Sequence, residues 1–360
     1  INRKSLLRLK ILKINMRKYN IVLILLQSSL LCPTISGQNT YWVSNDPSDA
    51  EIVQFTNLQT AIDSAENGDI LYVYSSEFSY GSINLNKSLI IEGIGYQLNH
   101  ILQPSLDITT VNYQPSINSI NITDASDVII KSIYLANLTV FNCVNLTFDA
   151  TFIYAGAFDD SENVVIINCY VGSGLHSAPN VGQFNIRFLN THGIIISNSI
   201  FSHYNPEATL NNLLISGDCG NIIVTNCIFN DIVLMHSTQF INNIHYIGGI
   251  EHTNCTITNN ITTGTYNGNP PGNLYNVIPS SIFVGLPTQG SYSFDSRYQL
   301  LPDSPARDYG VNGVDCGVFD GDFPYRLSGI TNRPIVSELV VPTGTYNDQM
   351  EITVRVKIID

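Results

Sequence analysis

The chain has 360 residues, of which 44% are hydrophobic and 12% are charged, and its formal net charge is −13. This length and apolar content allow a large core, but the charged fraction is about half that of a usual soluble domain. Asn, Ile, Thr, Ser and Tyr are abundant, which favours strands and turns over helices. All 29 acidic residues follow position 37, whereas 7 of the 16 basic ones precede it, so this part carries a net charge near −20. Nucleic acid and anionic membranes are therefore poor partners, and a polyuronate would be repelled unless calcium or a basic patch intervened.

The first 37 residues predict a leader rather than part of the fold. Residues 1–15 form a basic stretch that we interpret as upstream read-through, and residues 16–37 resemble a secretory signal peptide with a basic start and an apolar run. A single membrane anchor is the alternative, but the apolar run at 21–31 is short for a span. The pattern predicts a secreted, extracellular or cell-surface protein with no transmembrane segment in the mature chain.

A nine-residue pattern recurs along the chain. Its copies are "DVIIKSIYL" at 127, "NLTFDATFI" at 145, "NVVIINCYV" at 163, "GIIISNSIF" at 193, "NIIVTNCIF" at 221 and "GIEHTNCTI" at 249, after an earlier "SLIIEGIGY" at 88. The intervals between the six copies are 18, 18, 30, 28 and 28 residues. Self-similarity at such a period predicts a stacked repeat architecture.

The columns of the repeat predict two short strands that meet at a bend. The second and fourth positions are nearly always apolar and the third and fifth are mixed, which is the alternation of a strand with one buried face. The sixth position is the bend, where Asn suits the left-handed backbone conformation. Stacked at the strand spacing of about 4.8 Å, its amides should bond to the copies above and below. We therefore predict a structural ladder of Asn168, Asn198, Asn226 and Asn254.

A third strand precedes each copy of the pattern. It appears as "NLTVF" at 137, "NIRFL" at 185, "NLLIS" at 212 and "NIHYI" at 243. Three strands per coil with a corner at an asparagine predict an all-β fold, a parallel β-helix solenoid.

With this pattern the chain resembles the right-handed parallel β-helix proteins of the pectin-lyase-like superfamily, of the secreted bacterial type. Residues 55–95 resemble the family's entry, with an amphipathic cap helix within 55–75, and residues 298–325 resemble its closing segment. The resemblance implies a β-helix domain over 38–325, followed by a C-terminal β tail over 326–360. It implies little about activity, because this fold hosts lyases, hydrolases, adhesins and structural proteins.

Six cysteines remain after the leader, and a secreted protein invites a disulfide interpretation. Cys169, Cys227 and Cys255 share one column of the repeat with Ser199, which favours small packing residues in a stack. A bridge between Cys227 and Cys255 on neighbouring coils remains the alternative.

By the resemblance, a catalytic cleft would lie on the outer face of the sheet that contains "NIRFL". Arg187 is the only arginine between 127 and 262, and the preceding coil brings Asp159, Asp160 and Glu162. A lyase needs a cation and a base, and a hydrolase needs two carboxylates. The acidic cluster could hold Ca²⁺, with Arg187 as the base or as a clamp on a substrate carboxylate. The alternative is a solvated turn with one surface ion pair. The candidate substrate-binding residues on the same side are Asn185, His192, Asn212, Asp218, Asn243 and His245.

Two functions remain open from the residues alone. The first is a non-catalytic surface or matrix protein, a monomer that presents Asn, Thr and Tyr side chains, including Tyr134, Tyr154 and Tyr170, to a polysaccharide or cell-surface glycan. The second is a polysaccharide lyase or glycoside hydrolase that acts near Arg187. We favour the first, because the chain has no catalytic motif of the superfamily.

Overall fold

The structure is a computed structural model that describes residues 38–96, 113–172, 184–202, 211–287 and 292–330, and the strands Ile335–Val340 and Thr353–Lys357. The stretch 1–15 and the signal peptide at 16–37 lie outside the described residues.

Ten parallel strands form the first sheet, sheet A. In chain order they are β1 (Thr40–Val43), β2 (Ile70–Val73), β4 (Ile90–Glu92), β7 (Ser126–Lys131), β9 (Val144–Asp149), β11 (Glu162–Ile167), β14 (His192–Ser197), β17 (Gly220–Thr225), β20 (Thr238–Ile241) and β23 (Thr256–Thr258).

The second sheet has 14 strands and consists of two ladders. The short ladder contains β5 (Ser116–Ile117), β12 (Tyr170–Val171), β15 (Ile200–Phe201), β18 (Ile228–Phe229), β21 (Ile244–His245) and β24 (Ile261–Thr262). The third ladder contains β3 (Ser82–Leu85), β6 (Ser119–Thr123), β13 (Phe184–Leu189), β16 (Asn211–Ser216), β19 (Ile232–His236) and β22 (Ile250–Thr253). Two long strands, β8 (Tyr134–Phe141) and β10 (Phe152–Asp159), run through both ladders and join them.

The chain visits sheet A, the short ladder and the third ladder in turn, and every pairing among them is parallel. This order is a right-handed parallel β-helix with three strands per coil, as the sequence predicts. The inward positions of the repeat meet in register, as Val128 with Leu146, Leu146 with Val164, Val164 with Ile194 and Ile194 with Ile222. These side chains are at most 1% exposed and line the interior of the coil.

The structure differs from the sequence prediction at the last copy of the repeat. Ile222 pairs with Thr238, and Phe240 pairs with Ile257, so two coils of 16 and 17 residues follow β17, where the repeat predicts a single coil of 28. The intervening copy is β20, and its polar residues Thr238 and Gln239 interrupt the apolar pattern by which the other copies are recognised in the sequence. Asn254 therefore does not continue the corner of Asn226, because it lies in the turn that precedes β23.

The asparagine corner between sheet A and the short ladder is formed by Asn168, Asn198, Asn226, Asn242 and Asn259. All five have φ between +47° and +60°, as the bend requires. Their amides do not mainly stack on each other, and only the Asn242–Asn226 bond, at 3.5 Å, runs along the column. Instead, Asn198 Nδ2 donates to the carbonyls of Val318 and Asp320 at 2.9 and 2.8 Å. The corner therefore binds a later segment of the chain, which includes Val318 and Asp320.

A true amide ladder lies one residue further on, inside the coil. Asn243 is fully buried and follows Cys169, Ser199 and Cys227 in one column. Its Oδ1 accepts the backbone N–H of Cys227 at 2.8 Å, and its Nδ2 donates to Asn260 Oδ1 at 3.1 Å. Asn260 in turn donates to Asn273 Oδ1 at 2.9 Å.

All six cysteines of the described chain are free thiols. Cys169 and Cys227 share the predicted inward column with Ser199, but Cys255 does not. Cys255 lies between β22 and β23, next to the turn at Asn254, in the column of Thr238. Thus Cys227 and Cys255 occupy two different columns.

Residues 292–330, here called the C-terminal cover, contain the closing segment and pack on the outside of the short ladder. Phe294, Tyr298 and Val318 of the cover form a second apolar cluster with Phe152 and Tyr170. Tyr170 lies 4.8 Å from Phe294 between ring centroids.

The expectation of exposed tyrosines is therefore wrong for two of the three. Tyr170 is 2% and Tyr154 is 8% exposed, whereas Tyr134 is half-buried and stacks on Phe152. The outward apolar side chains of the short ladder thus pack against apolar side chains of the cover and not against other parts of the repeat.

The N-terminal end is closed by helix α1 (Leu58–Ser64), which buries Leu58, Ala61 and Ile62. Asn57 caps it by accepting the N–H of Thr60 at 2.9 Å. One strand, β1, precedes the helix and pairs with β2, so the sheet begins before the stretch expected to open it. At the other end β25 (Ile335–Val340) and β26 (Thr353–Lys357) form an antiparallel pair.

Candidate functional site

Arg187 and Asp159 form the predicted contact on the outer face of the third ladder. β10 and β13 are neighbours, and Arg187 Nη2 donates to both carboxylate oxygens of Asp159, at 2.9 and 2.7 Å. The side chains are 39% and 26% exposed. A partly solvated pair of this kind contributes at most about 1 kcal/mol to stability. Both oxygens of Asp159 are already occupied by its partner.

Asp160 and Glu162 do not join this pair. Asp160 turns the chain with φ +50°, and its Oδ1 accepts from Asn190 Nδ2 at 3.0 Å. Glu162 begins β11 in sheet A, opposite His192 in register, and is exposed. The three carboxylates thus have three different surroundings, and of the three only Asp159 contacts Arg187.

The turn between the third ladder and sheet A carries two exposed ladders of Asp and Asn that the sequence analysis missed. In the first, Asn142 donates to Asp124 at 2.6 Å and Asn190 to Asp160 at 3.0 Å. The members of this first ladder have positive φ, namely Asp124, Asn142, Asp160 and Asn190. Asp218 extends it, because its backbone N–H donates to Asn190 Oδ1 at 3.0 Å.

The second ladder lies three residues further along the chain. Asn145 donates to Asp127 at 2.9 Å, and Asn163 donates to Asn145 at 3.0 Å. All three residues have positive φ and are exposed. The recurrence of Asp or Asn at intervals of 18, both from 124 and from 127, was the signal in the sequence that could have revealed both ladders. We call the two together the outer Asx ladders.

His192 lies beside these ladders, half-buried at the start of β14. In register it is between Glu162 and Gly220, and a Cβ on Gly220 would lie 3.2 Å from His192 Nδ1. The imidazole therefore lies over the backbone of the next coil.

Four candidate substrate-binding residues are buried instead of facing outward. Asn185, Asn212, Asn243 and His245 are between 0% and 3% exposed. Asn185 and Asn212 lie at the corner between the short and third ladders, where Asn212 Oδ1 accepts the N–H of Asn230 at 3.0 Å. Asn243 and His245 belong to the first of the two short coils, Asn243 at its inner corner and His245 in β21.

His245 is held as a neutral side chain inside the coil. Its Nε2 lies 3.0 Å from the carbonyl oxygen of Asp231. Burial lowers its pKa to about 4, and the hydrogen bond and charge of Asp231 only partly oppose this. His245 is therefore part of the buried interior and does not face a ligand.

The described residues contain no group of three or more His, Cys, Asp or Glu side chains that could hold a metal ion. Near the end of the coil, Asp315 accepts from Arg307 at 3.1 Å and from the N–H of Asp308 at 2.9 Å. Asp320 accepts the N–H of Asp315 at 2.8 Å, so these carboxylates serve turns of the cover. Among the described helices, none has the length and apolar character to cross a membrane.

No protein-family model matches the chain, and no curated protein matches its sequence. Among solved structures, pectate lyase Pel9A is 12% identical with a TM-score of 0.41, covering 80% of this chain and 98% of that one. The Streptococcus pneumoniae surface adhesin PfbA is 14% identical with a TM-score of 0.23, covering 57% and 75%. The tailspike gp49 of Acinetobacter baumannii bacteriophage Fri1, a capsular polysaccharide depolymerase, is 13% identical with a TM-score of 0.26, covering 62% and 56%.

With TM-scores below 0.5, these likenesses carry no argument about activity. The fold class follows from the strand order of the chain itself, which is that of a right-handed parallel β-helix protein.

Proposed function

We propose that this is a secreted or cell-surface β-helix protein, active as a monomer, that binds a polysaccharide or cell-surface glycan without cleaving it. The observation that carries the proposal is the pair of outer Asx ladders, which present amide and carboxylate groups at the coil spacing of about 4.8 Å. Amides both donate and accept hydrogen bonds, as sugar hydroxyls do. Because each ladder residue is held in register by its neighbour, little side-chain entropy remains to be lost on binding.

The geometry around Arg187 favours binding over catalysis. A carboxylate can act as a general base only when its oxygens are available, yet both oxygens of Asp159 accept from Arg187. Asp160 is bonded to Asn190, and Glu162 lies on the far side of the turn in sheet A. A glycoside hydrolase needs two carboxyl groups that flank the same glycosidic bond, one as acid and one as base or nucleophile. Asp159, Asp160 and Glu162 do not form such a pair.

The alternative function is a polysaccharide lyase or glycoside hydrolase. One observation favours this alternative. Arg187 Nε is buried and has no hydrogen-bond partner among the described residues. A substrate carboxylate could take that position. In this proposal Arg187 would clamp the uronate.

The test is a panel of neutral and acidic polysaccharides, with and without calcium, that records both binding and the ultraviolet absorbance of unsaturated uronate products. The variant is Asn145→Gly combined with Asn163→Gly, since glycine keeps the positive φ and removes only the amides. Asn269→Gly is the matched control, because Asn269 is an exposed asparagine with φ +42° outside the ladders.

We expect binding by the wild type and by Asn269→Gly, and at least a tenfold weaker affinity in the double variant, roughly the loss of one or two net hydrogen bonds. Absorbance that rises with the wild type and vanishes in Arg187→Ala would establish the lyase instead. No binding to any glycan would overturn both.

A further inference from the structure

Arg297 is a buried cation in the C-terminal cover, 9% exposed. Its Nη2 donates to the hydroxyl of Tyr298 at 3.1 Å and lies 3.5 Å from Ser202 Oγ. Its Nε is buried and has no hydrogen-bond partner among the described residues, and none of the described acidic residues forms an ion pair with Arg297. Arginine stays charged in proteins, and a buried charge without a counter-charge is costly.

Asp295 does not supply that counter-charge, although it is only two residues away and fully buried. Its Oδ1 accepts from Ser293 Oγ at 2.8 Å, and its Oδ2 accepts from the N–H of Ser328 at 2.7 Å and from Tyr325 at 3.3 Å. Burial also raises the pKa of Asp295, which favours its neutral form. The carboxyl group of Asp295 thus belongs to a separate hydrogen-bond network of the cover, with Ser293, Tyr325 and Ser328.

Two further buried donors at the corner around Ser202 lack acceptors among the described residues. Within the described part of the chain, Asn185 Nδ2 and Asn212 Nδ2 have no hydrogen-bond partner, and their residues are 3% and 0% exposed. Asn185 is next to Ser202, because a Cβ on Gly172 would collide with both Asn185 Nδ2 and the Ser202 carbonyl.

Asn212 connects to the same place through Asn230. The N–H of Asn230 donates to Asn212 Oδ1 at 3.0 Å, and Asn230 Nδ2 donates to Ser202 Oγ at 3.4 Å. Ser202 also accepts from the hydroxyl of Tyr298 at 2.6 Å. Ser202 is thus the common neighbour of the coil corner and the cover. Of the unpartnered buried atoms around it, Arg297 Nε, Asn185 Nδ2 and Asn212 Nδ2 are donors, and Asn230 Oδ1 is an acceptor.

The chemistry of these groups selects the ligand. Buried donors without acceptors are rare in native proteins, and each costs roughly 1–3 kcal/mol. A water molecule could satisfy the amides, but it would leave the guanidinium without a counter-charge. A negatively charged acceptor satisfies both needs, and the near-complete burial of the residues restricts it to a small one.

We propose that the corner around Ser202 is a buried site for one small monovalent anion, held by Arg297, Asn185 and Asn212. Chloride and a carboxylate of formate size share the required chemistry. The anion joins the third-ladder corner of the coil to the C-terminal cover, so it is part of what fastens the cover. This proposal is independent of glycan binding at the outer Asx ladders.

The test is equilibrium unfolding by urea at constant ionic strength, with gluconate replaced stepwise by chloride and, in a second series, by formate. For one anion bound only by the folded state, the unfolding equilibrium constant should fall about tenfold for each tenfold rise in anion above its Kd. Arg297→Gln should abolish this dependence. Arg307→Gln removes the same charge from an exposed arginine of the cover and should keep it.

A second measurement does not depend on whether Arg297→Gln folds. Crystals of the wild type soaked in bromide should give an anomalous peak within hydrogen-bond distance of Arg297 Nε. A response to formate but not to chloride, with no bromide peak, would assign the site to a carboxylate. Stability independent of both anions, or a water molecule at the site in place of the anion, would overturn the proposal.

Discussion

At the scale of the residue, the asparagines of this chain have three distinct roles that depend only on which way the side chain points. Asn198 and Asn226 at the corner donate to backbone carbonyls of the cover. Asn243 faces inward and satisfies buried backbone groups, whereas Asn163 faces solvent in an outer Asx ladder. The left-handed conformation explains why asparagine recurs at the corners, but it does not say what the amide bonds to.

The inward amide ladder makes a prediction about stability. Asn243→Ala would leave the N–H of Cys227 and the carbonyl of Val224 without partners inside the coil. We expect a loss of about 2–4 kcal/mol in the free energy of unfolding, measured by urea denaturation. Asn121→Ala, which removes an exposed amide bonded to Asn84, should cost less than about 0.5 kcal/mol. Equal losses in both variants would contradict the role of the buried ladder.

His245 predicts the pH dependence of stability. Because its pKa is about 4 in the folded state and near 6.5 when unfolded, the unfolded chain binds the extra proton between these values. Stability should therefore be full above pH 6.5 and fall toward pH 4, by about 3 kcal/mol in total. Asp295 has the opposite sign, since a raised carboxyl pKa stabilises the fold at low pH and loses that effect as pH rises.

The measurement is the free energy of unfolding between pH 4 and 7 for the wild type and His245→Gln. The variant should show a smaller slope, because it retains no group at that position to protonate. His252→Gln, at a half-buried position of β22, controls for the loss of a histidine. An unchanged slope in His245→Gln would show that other groups set the acid sensitivity.

At the scale of the element, the C-terminal cover decides which outer faces of the coil are available. It lies along the asparagine corner, with Val311 bonded to Asn242 and Asn259 bonded to the carbonyl of Tyr309. Its apolar side chains bury the outer face of the short ladder, so that Tyr154 and Tyr170 are not available to a glycan. The turn that carries the outer Asx ladders stays exposed.

Gly329 tests how closely the cover is fastened to the coil. It has φ +58°, and an added Cβ would collide with the carbonyl of Ala150 and the ring of Tyr96. Gly329→Ala should lower the free energy of unfolding by more than about 2 kcal/mol, since backbone strain and a backbone clash both act. Gly313→Ala, at φ +74° with nothing within 4 Å, should cost only the strain, about 1 kcal/mol. Similar costs in the two variants would argue against a tight contact at Ala150.

At the scale of the whole molecule, the excess of acidic residues limits the kind of glycan that can bind. The part after position 37 has 29 acidic side chains and a net charge near −20. A polyanion must approach against this field, which salt screens over a distance of about 10 Å at 0.1 M. A neutral polysaccharide meets no such opposition.

This charge predicts how salt should act on binding. The affinity for a polyuronate oligosaccharide should increase between low and high salt, and the affinity for a neutral one of equal length should change little. Calorimetric titrations of both ligands in sodium chloride would measure the effect. A polyuronate affinity that decreases with salt would instead indicate a local basic contact such as Arg187.

Much of the coil was predictable from local pattern. Alternation identified Val164 and Ile166 as inward side chains, and the bend asparagines at 168, 198 and 226 have the expected left-handed backbone. The register failed where Thr238 and Gln239 interrupt the apolar pattern, because two short coils then resemble one long coil. In the candidate site, the Arg187–Asp159 contact could be predicted, since adjacent coils bring the two together.

The sequence by itself determined the repeat, the strand alternation and the bends, because each depends on neighbours within a few residues and on the constant spacing of stacked strands. Only the tertiary structure decided which outward side chains remain at the surface. Tyr170 is covered by Phe294, more than a hundred residues later, and Ser202 is bonded to Tyr298. Such contacts depend on the path of the cover across the coil, and no periodicity in the coil encodes that path.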